Sequence, residues 1–222
     1  MSSAAETPAE QNGNSVAESF LLCLEKANHQ TSPFDFWLLE DVLPEGLAAE
    51  IANLPFDPPS GIAFSGQRES NNATRIYFSE ENQDRFEVCR KVADGFKSPA
   101  VIEAIERETG ANLRNTRLRI EYCQDTQGFW LEPHTDIRVK KYTMLVYLAD
   151  DPSLANAGTD IHEGPPDFKY VTSAPYARNK GVIFVPGENT WHAVGERPMK
   201  SVRKSIIINF VSDDWRDAWE LA

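Results

Sequence analysis

The sequence predicts a mainly β fold with flanking helices, its core a sandwich or a barrel. Two observations carry this. From Thr116 onward the chain passes through seven short segments of alternating or β-branched residues, "TRLRIEYC", "KKYTMLVYLA", "GTDIHE", "FKYVTS", "KGVIFVP", "TWHAVG" and "VRKSIIINFVS", with turn residues between them. Before Thr116, apolar residues recur instead at helical spacing, and strands and helices do not alternate as in βαβ units. Helices of the first half are therefore expected to buttress one face of a β core built mainly by the second half.

Taken in order, residues 1 to about 15 are rich in Ser, Ala, Glu, Asn and Gly and carry no large apolar side chain to offset the entropy of ordering, so they read as a tail. Val16, Phe20, Leu21 and Leu24 have the spacing of a short amphipathic helix, which "NHQTSPFDF" interrupts. The reading is thus a flexible tail with a possible short helix over 1–30 and one domain over 31–222. "FDFWLLEDVL" reads as a strand, and "PEGLAAEIANL" as a helix with Pro44 near its first turn and Leu47, Ile51 and Leu54 on one face. "PFDPPSGIAFSG" is a loop and "TRIYFS" a short strand. Ser79 to Thr109 reads as two helical pieces split near Ser98-Pro99, with Ser98 capping the second and Gly110 ending it.

Composition narrows the function. The 222 residues, 41% hydrophobic, suffice for one substantial core. The 22 Lys+Arg against 34 Asp+Glu give a net charge of −12, spread along the chain, which disfavours nucleic acid or an anionic membrane as partner. Cys23, Cys89 and Cys123 are odd in number and far apart, which argues against a disulfide framework or a C-x-x-C clamp and favours a reducing cytoplasm. The first residues lack the basic and apolar regions of a secretion signal, and no apolar run approaches bilayer length.

The chemistry-bearing residues are few. His134-Thr135-Asp136 is an H-x-D motif; on an extended segment residues two apart share a face, so imidazole and carboxylate can converge on one ion. His192, in "ENTWHAVG", supplies a second imidazole, and two histidines with one carboxylate suit non-haem Fe(II) with coordination positions left open. A structural zinc site closes all four positions, and no cysteine here is spaced to help. Arg203 and Ser205 open the apolar strand "SIIINFV" on one face, a guanidinium and a hydroxyl able to hold a carboxylate within the core. Taken singly, His134 and Asp136 read as loop and turn residues, His192 as a half-buried strand-end residue and Arg203 as a surface ion pair; the set favours a site. His162 reads better as a solvated strand-end residue than as a ligand. Arg75 and Tyr77 are pocket-wall candidates if their strand extends the major sheet, Arg138, Lys140 and Lys141 could line a pocket mouth and favour an anionic substrate but read better as solvated, and Trp130 reads as packing.

"HTD" at 134–136, "WH" at 191–192 and "RKS" at 203–205, in that order, resemble the Fe(II)/2-oxoglutarate-dependent dioxygenases. "FWLLEDVLP", "YLADD" and "AGTDI" resemble their prolyl-hydroxylase-like branch, and the resemblance spans roughly Phe34 to Ser212. It implies a double-stranded β-helix, a cupin-like jelly roll. It further implies His134, Asp136 and His192 as Fe(II) ligands, and Arg203 and Ser205 as partners of the far 2-oxoglutarate carboxylate, with Tyr122 also touching the cosubstrate. The implied activity is oxidation by O2, with succinate and CO2 released. Because Asp136 is present, where halogenating members lack the carboxylate, hydroxylation of a small-molecule or peptidyl substrate is favoured. The rival readings are a jelly roll that binds a metal or ligand without turnover and a zinc hydrolase; the absence of H-E-x-x-H counts against the latter.

Overall fold

The computed structural model describes residues 15–67 and 74–222. All seven segments expected as strands after Thr116 are strands, and they build two antiparallel sheets with four strands from elsewhere. The larger sheet has the order β1(Asn28–Gln30)-β2(Phe36–Leu39)-β9(Gly181–Phe184)-β6(Lys140–Tyr147)-β11(Arg203–Ser212)-β4(Thr116–Asp125)-β3(Ile76–Tyr77). The smaller runs β5(Leu131–His134)-β10(His192–Val194)-β7(Asp160–His162)-β8(Tyr170–Ser173).

The larger sheet is buried on both faces, which is why its central strands read as nearly continuous apolar runs. Strand periodicity divides its side chains. Ile120, Met144, Val146, Ile206, Ile208 and Phe210 point outward, where they pack with the helices. Leu145, Tyr147, Val182 and Phe184 point inward towards Ile161 and Val194 of the smaller sheet. The site lies in this inter-sheet layer.

The outer layer is helical. α1(Val16–Glu25) begins at a capping box in which Ser15 and Glu18 satisfy each other's backbone N–H. It buries Val16, Phe20, Cys23 and Leu24 in the same core as Ile120 and Ile208, so from Val16 onward the segment expected as a tail is packed. The rest of that tail, residues 1–14, lies outside the described residues. α2 covers only Leu47–Ala52; its N-cap is Gly46 at φ 81°, so Pro44 stands before the helix rather than in its first turn. The stretch from Ser79 holds three helices rather than two, α3(Glu80–Arg85), α4(Glu87–Lys97) and α5(Pro99–Thr109). The extra break is at Phe86, whose extended backbone serves both as C-cap of α3 and as N-cap of α4. Ser98 occupies the N-cap of α5 but makes no side-chain cap bond, while Gly110 ends that helix at φ 72°. No helix among the described residues is long and apolar enough to cross a membrane.

β9 sits tightly between β2 and β6: a Cβ added at Gly181 would lie 2.3 Å from the Leu145 carbonyl oxygen. Gly181→Ala is expected to lower unfolding stability by about 1–3 kcal/mol through overpacking, read from urea midpoints.

Candidate active site

β5 and β10 pair antiparallel with His134 directly opposite His192, which brings the ring centroids to 4.4 Å. His134 Nδ1 lies 2.8 Å from the Glu132 carbonyl oxygen, and His192 Nδ1 lies 2.9 Å from that of Thr190. Carbonyl oxygens only accept, so both Nδ1 atoms donate, which leaves each Nε2, in a neutral ring, to carry the lone pair that binds metals. Burial first, and the neighbouring His134 next, push the His192 pKa down to about 3, so its imidazole is neutral at ordinary pH.

Asp136 is brought close by a different route from the one its spacing suggests. β5 ends at His134, and Thr135 and Asp136 belong to the turn that leads into β6. Lys140 Nζ donates to Asp136 Oδ1 and Thr143 Oγ1 to Oδ2, each at 2.7 Å, and Asn209 Nδ2 donates to Thr143 Oγ1 at 2.9 Å. Lys140, read as solvated or as lining a pocket mouth, is not solvated: it is buried on Asp136, with both side chains 3% exposed, and lines the cleft beside it. Arg138 meets that expectation better: it is 92% exposed and pairs with Glu188.

On β11, Arg203 and Ser205 face the same inter-sheet layer. Arg203 donates through Nε to the Ala157 carbonyl at 2.6 Å and through Nη1 to Asp125 Oδ2 at 2.7 Å, and its guanidinium lies 5.7 Å from the ring centroids of both Tyr147 and Tyr176. Burial is the largest influence and opposes the Arg203 charge, but Asp125, Tyr147 and Tyr176 together outweigh it and hold the guanidinium ionised. Among the described residues, Arg203 Nη2 and Ser205 Oγ have no hydrogen-bond partner. Buried orphan donors are costly, so an acceptor in the cavity is the natural complement.

One cavity of about 40 Å³ is lined by His134, Asp136, His192, Arg203, Ser205 and Arg75, among others. An open cleft of about 640 Å³ also reaches His134 and Asp136, walled on its far side by Arg119 and Trp215. Five of the six expected site residues thus share one cavity. Tyr122 does not. It is register partner to Ile206, on the outward face; its ring lies 6.4 Å from that of Phe56, and its hydroxyl donates to the Ala52 carbonyl at 3.3 Å. The inward residues of β4 are its neighbours Cys123 and Asp125, opposite Ser205 and Arg203.

β3 does extend the larger sheet, and Arg75 enters the cavity wall, where Nη1 donates to Asp125 Oδ1 at 2.9 Å. His162 binds the Phe168 carbonyl through Nδ1 and is not in the cavity wall. Trp130 packs against Gly66, where a Cβ would meet its ring at 2.2 Å. Asp125 was not foreseen. Its signal lay in "RLRIEYCQD", where Arg119, Glu121, Cys123 and Asp125 stand two apart, alternating with Leu118, Ile120, Tyr122 and Gln124, and so share one strand face.

Two imidazoles and a carboxylate fit Fe(II) in donor chemistry, and the two orphan donors fit a carboxylate. Among the described residues, however, no group of three or more His, Cys, Asp or Glu side chains is disposed to hold a metal ion. Lys140 and Thr143 engage the two oxygens of Asp136, and coordination would draw that carboxylate away from them.

No protein-family model and no curated protein matches the sequence. Solved structures do resemble the fold. A prolyl-4-hydroxylase from Pseudomonas putida shares 15% identity over 87% of this chain and 93% of its own, with a TM-score of 0.54. A prolyl hydroxylase from Trichoplax adhaerens, in complex with a hypoxia inducible factor oxygen degradation domain peptide fragment, shares 18% over 80% and 84%, with a TM-score of 0.51. The non-haem alpha-ketoglutarate-dependent epimerase SnoN from nogalamycin biosynthesis shares 16% over 88% and 82%, with a TM-score of 0.52. With its paired antiparallel sheets and outer helices, the chain is similar in fold to these prolyl hydroxylases and to the epimerase.

Proposed function

We propose that this chain is an Fe(II)- and 2-oxoglutarate-dependent dioxygenase that hydroxylates an unactivated C–H of a small-molecule or peptidyl substrate. The observation that carries the reading is the cavity itself, with two imidazoles held through Nδ1 and Asp136 near one end and the orphan donors of Arg203 and Ser205 in the same wall. His134, Asp136 and His192 would hold the iron, and Arg203 and Ser205 the far carboxylate of 2-oxoglutarate. Bound iron and cosubstrate supply the activation of O2, which no amino-acid side chain provides. The chain's own residues do the rest. Glu132 and Thr190 fix both ring tautomers through their carbonyls, Asn209 and Thr143 orient Asp136, and Tyr147 and Tyr176 flank Arg203.

The same proposal reads the two sheets as a double-stranded β-helix within one domain over 31–222, with α1 packed on it. A cytoplasmic setting is supported by Cys23, Cys89 and Cys123, all buried and not joined by a disulfide among the described residues. A peptidyl substrate is supported by the peptide complex of the Trichoplax adhaerens neighbour. The second reading, a jelly roll that binds ligands without turnover, is favoured by the pairing of Asp136 with Lys140.

An anaerobic titration with Fe(II) and then 2-oxoglutarate separates the two readings. The wild type is expected to develop the visible charge-transfer band of the chelate, and Arg203→Ala to need about 10- to 100-fold more 2-oxoglutarate for it, the worth of a charge-assisted hydrogen bond. No band from folded wild-type protein would move the non-catalytic reading to the front.

A further inference from the structure

Asp125 is an unusual neighbour for a carboxylate-binding arginine. Its two oxygens accept from different guanidinia, Oδ1 from Arg75 at 2.9 Å and Oδ2 from Arg203 at 2.7 Å. All three side chains are no more than 5% exposed. Two guanidinium charges and one carboxylate leave a net charge of +1, which suits a single further carboxylate. The cavity beside them is lined by Arg75, Asp125, Arg203 and Ser205, and the anion already sitting between the arginines is Asp125.

We propose that Arg75 and Arg203 together hold the far carboxylate of 2-oxoglutarate, while Asp125 acts as an internal carboxylate that keeps both guanidinia aimed into the cavity and competes with the incoming acid for them. Arg75 is then a second cosubstrate-binding residue, placed just before the edge strand β3 rather than on the R-x-S strand. Asp125 is a positioning residue. The inference rests on the dioxygenase reading. It follows from that reading only because orphan donors remain, Nη2 on Arg203 and Oγ on Ser205, after Asp125 and Ala157 have taken the other edge of the guanidinium.

The test is calorimetric titration of the full chain, loaded with Mn(II), against 2-oxoglutarate and against 2-oxopentanoate, which has the same carbon count but no far carboxylate. The wild type is expected to prefer 2-oxoglutarate. Arg75→Gln should weaken 2-oxoglutarate about 10- to 100-fold and leave 2-oxopentanoate unchanged, with Arg75→Lys recovering part of the loss. Asp125→Asn removes the internal competitor and raises the local charge, so it should bind 2-oxoglutarate more tightly than wild type while unfolding at lower urea. A merely structural Asp125 would weaken binding and stability together, and that result would overturn its role. Arg75→Gln binding 2-oxoglutarate like wild type would overturn the role of Arg75. If Asp125→Asn fails to fold, the Arg75 pair decides the proposal alone. If the wild type does not distinguish the two acids, the dioxygenase reading itself fails, an outcome separate from a wild type that discriminates and an Arg75→Gln that does so equally.

Discussion

His134→Ala is expected to lower Fe(II)-dependent consumption of 2-oxoglutarate by more than 100-fold, because even partners one shell removed from a metal are worth about 10- to 100-fold. Stability should hardly follow. His134 is partly exposed at the end of β5, so its unfolding free energy should stay within about 1 kcal/mol of wild type. His192→Ala should lose the same activity with a stability cost as well, since its ring is 7% exposed and packed 4.6 Å from that of Phe184. Anaerobic Fe(II) titration beside urea unfolding checks both. Equal activity in His134→Ala and wild type would remove the imidazole pair from the reaction.

Arg119→Met should lower the unfolding free energy by about 3–5 kcal/mol, the cost of breaking a buried ion pair from one side. Arg119 is 4% exposed and donates Nε to Glu220, Nη1 to Glu121 and Nη2 to the Tyr77 hydroxyl at 3.1 Å. Its guanidinium also lies 4.8 Å from the Tyr77 ring centroid and 4.5 Å from that of Trp215. Methionine preserves the length of the stem but leaves two carboxylates without their cation. Arg119→Lys should recover only part of the loss, since a single ammonium cannot reproduce the planar fork. Because Trp215 and Glu220 wall the cleft that reaches His134 and Asp136, the same substitution should also loosen that wall, measurable as faster amide exchange in residues 213–222.

Much of this site was legible in the residue order. His134, Asp136, His192, Arg203 and Ser205 all line one cavity, and the seven strands after Thr116 all form. What misled the reading of Tyr122 was distance along the chain, which says nothing about strand parity: a shift of one residue turns a side chain to the opposite face. Cys123 and Asp125 hold the inward positions instead. Lys140 misled for a related reason, since a lysine after a turn reads as solvated until its carboxylate partner is known.

The sequence by itself determined the period of each strand, the two imidazoles and the arginine–serine strand, because alternation and residue chemistry are local properties. Only the tertiary structure decided that Asp125 joins Arg75 to Arg203, that Lys140 sits on Asp136 and that Arg119 ties the C-terminal segment to the sheet. Each of these is a choice of partner for a buried charge. Such charges require partners, but which ones they find depends on strands and turns far apart in sequence being brought face to face.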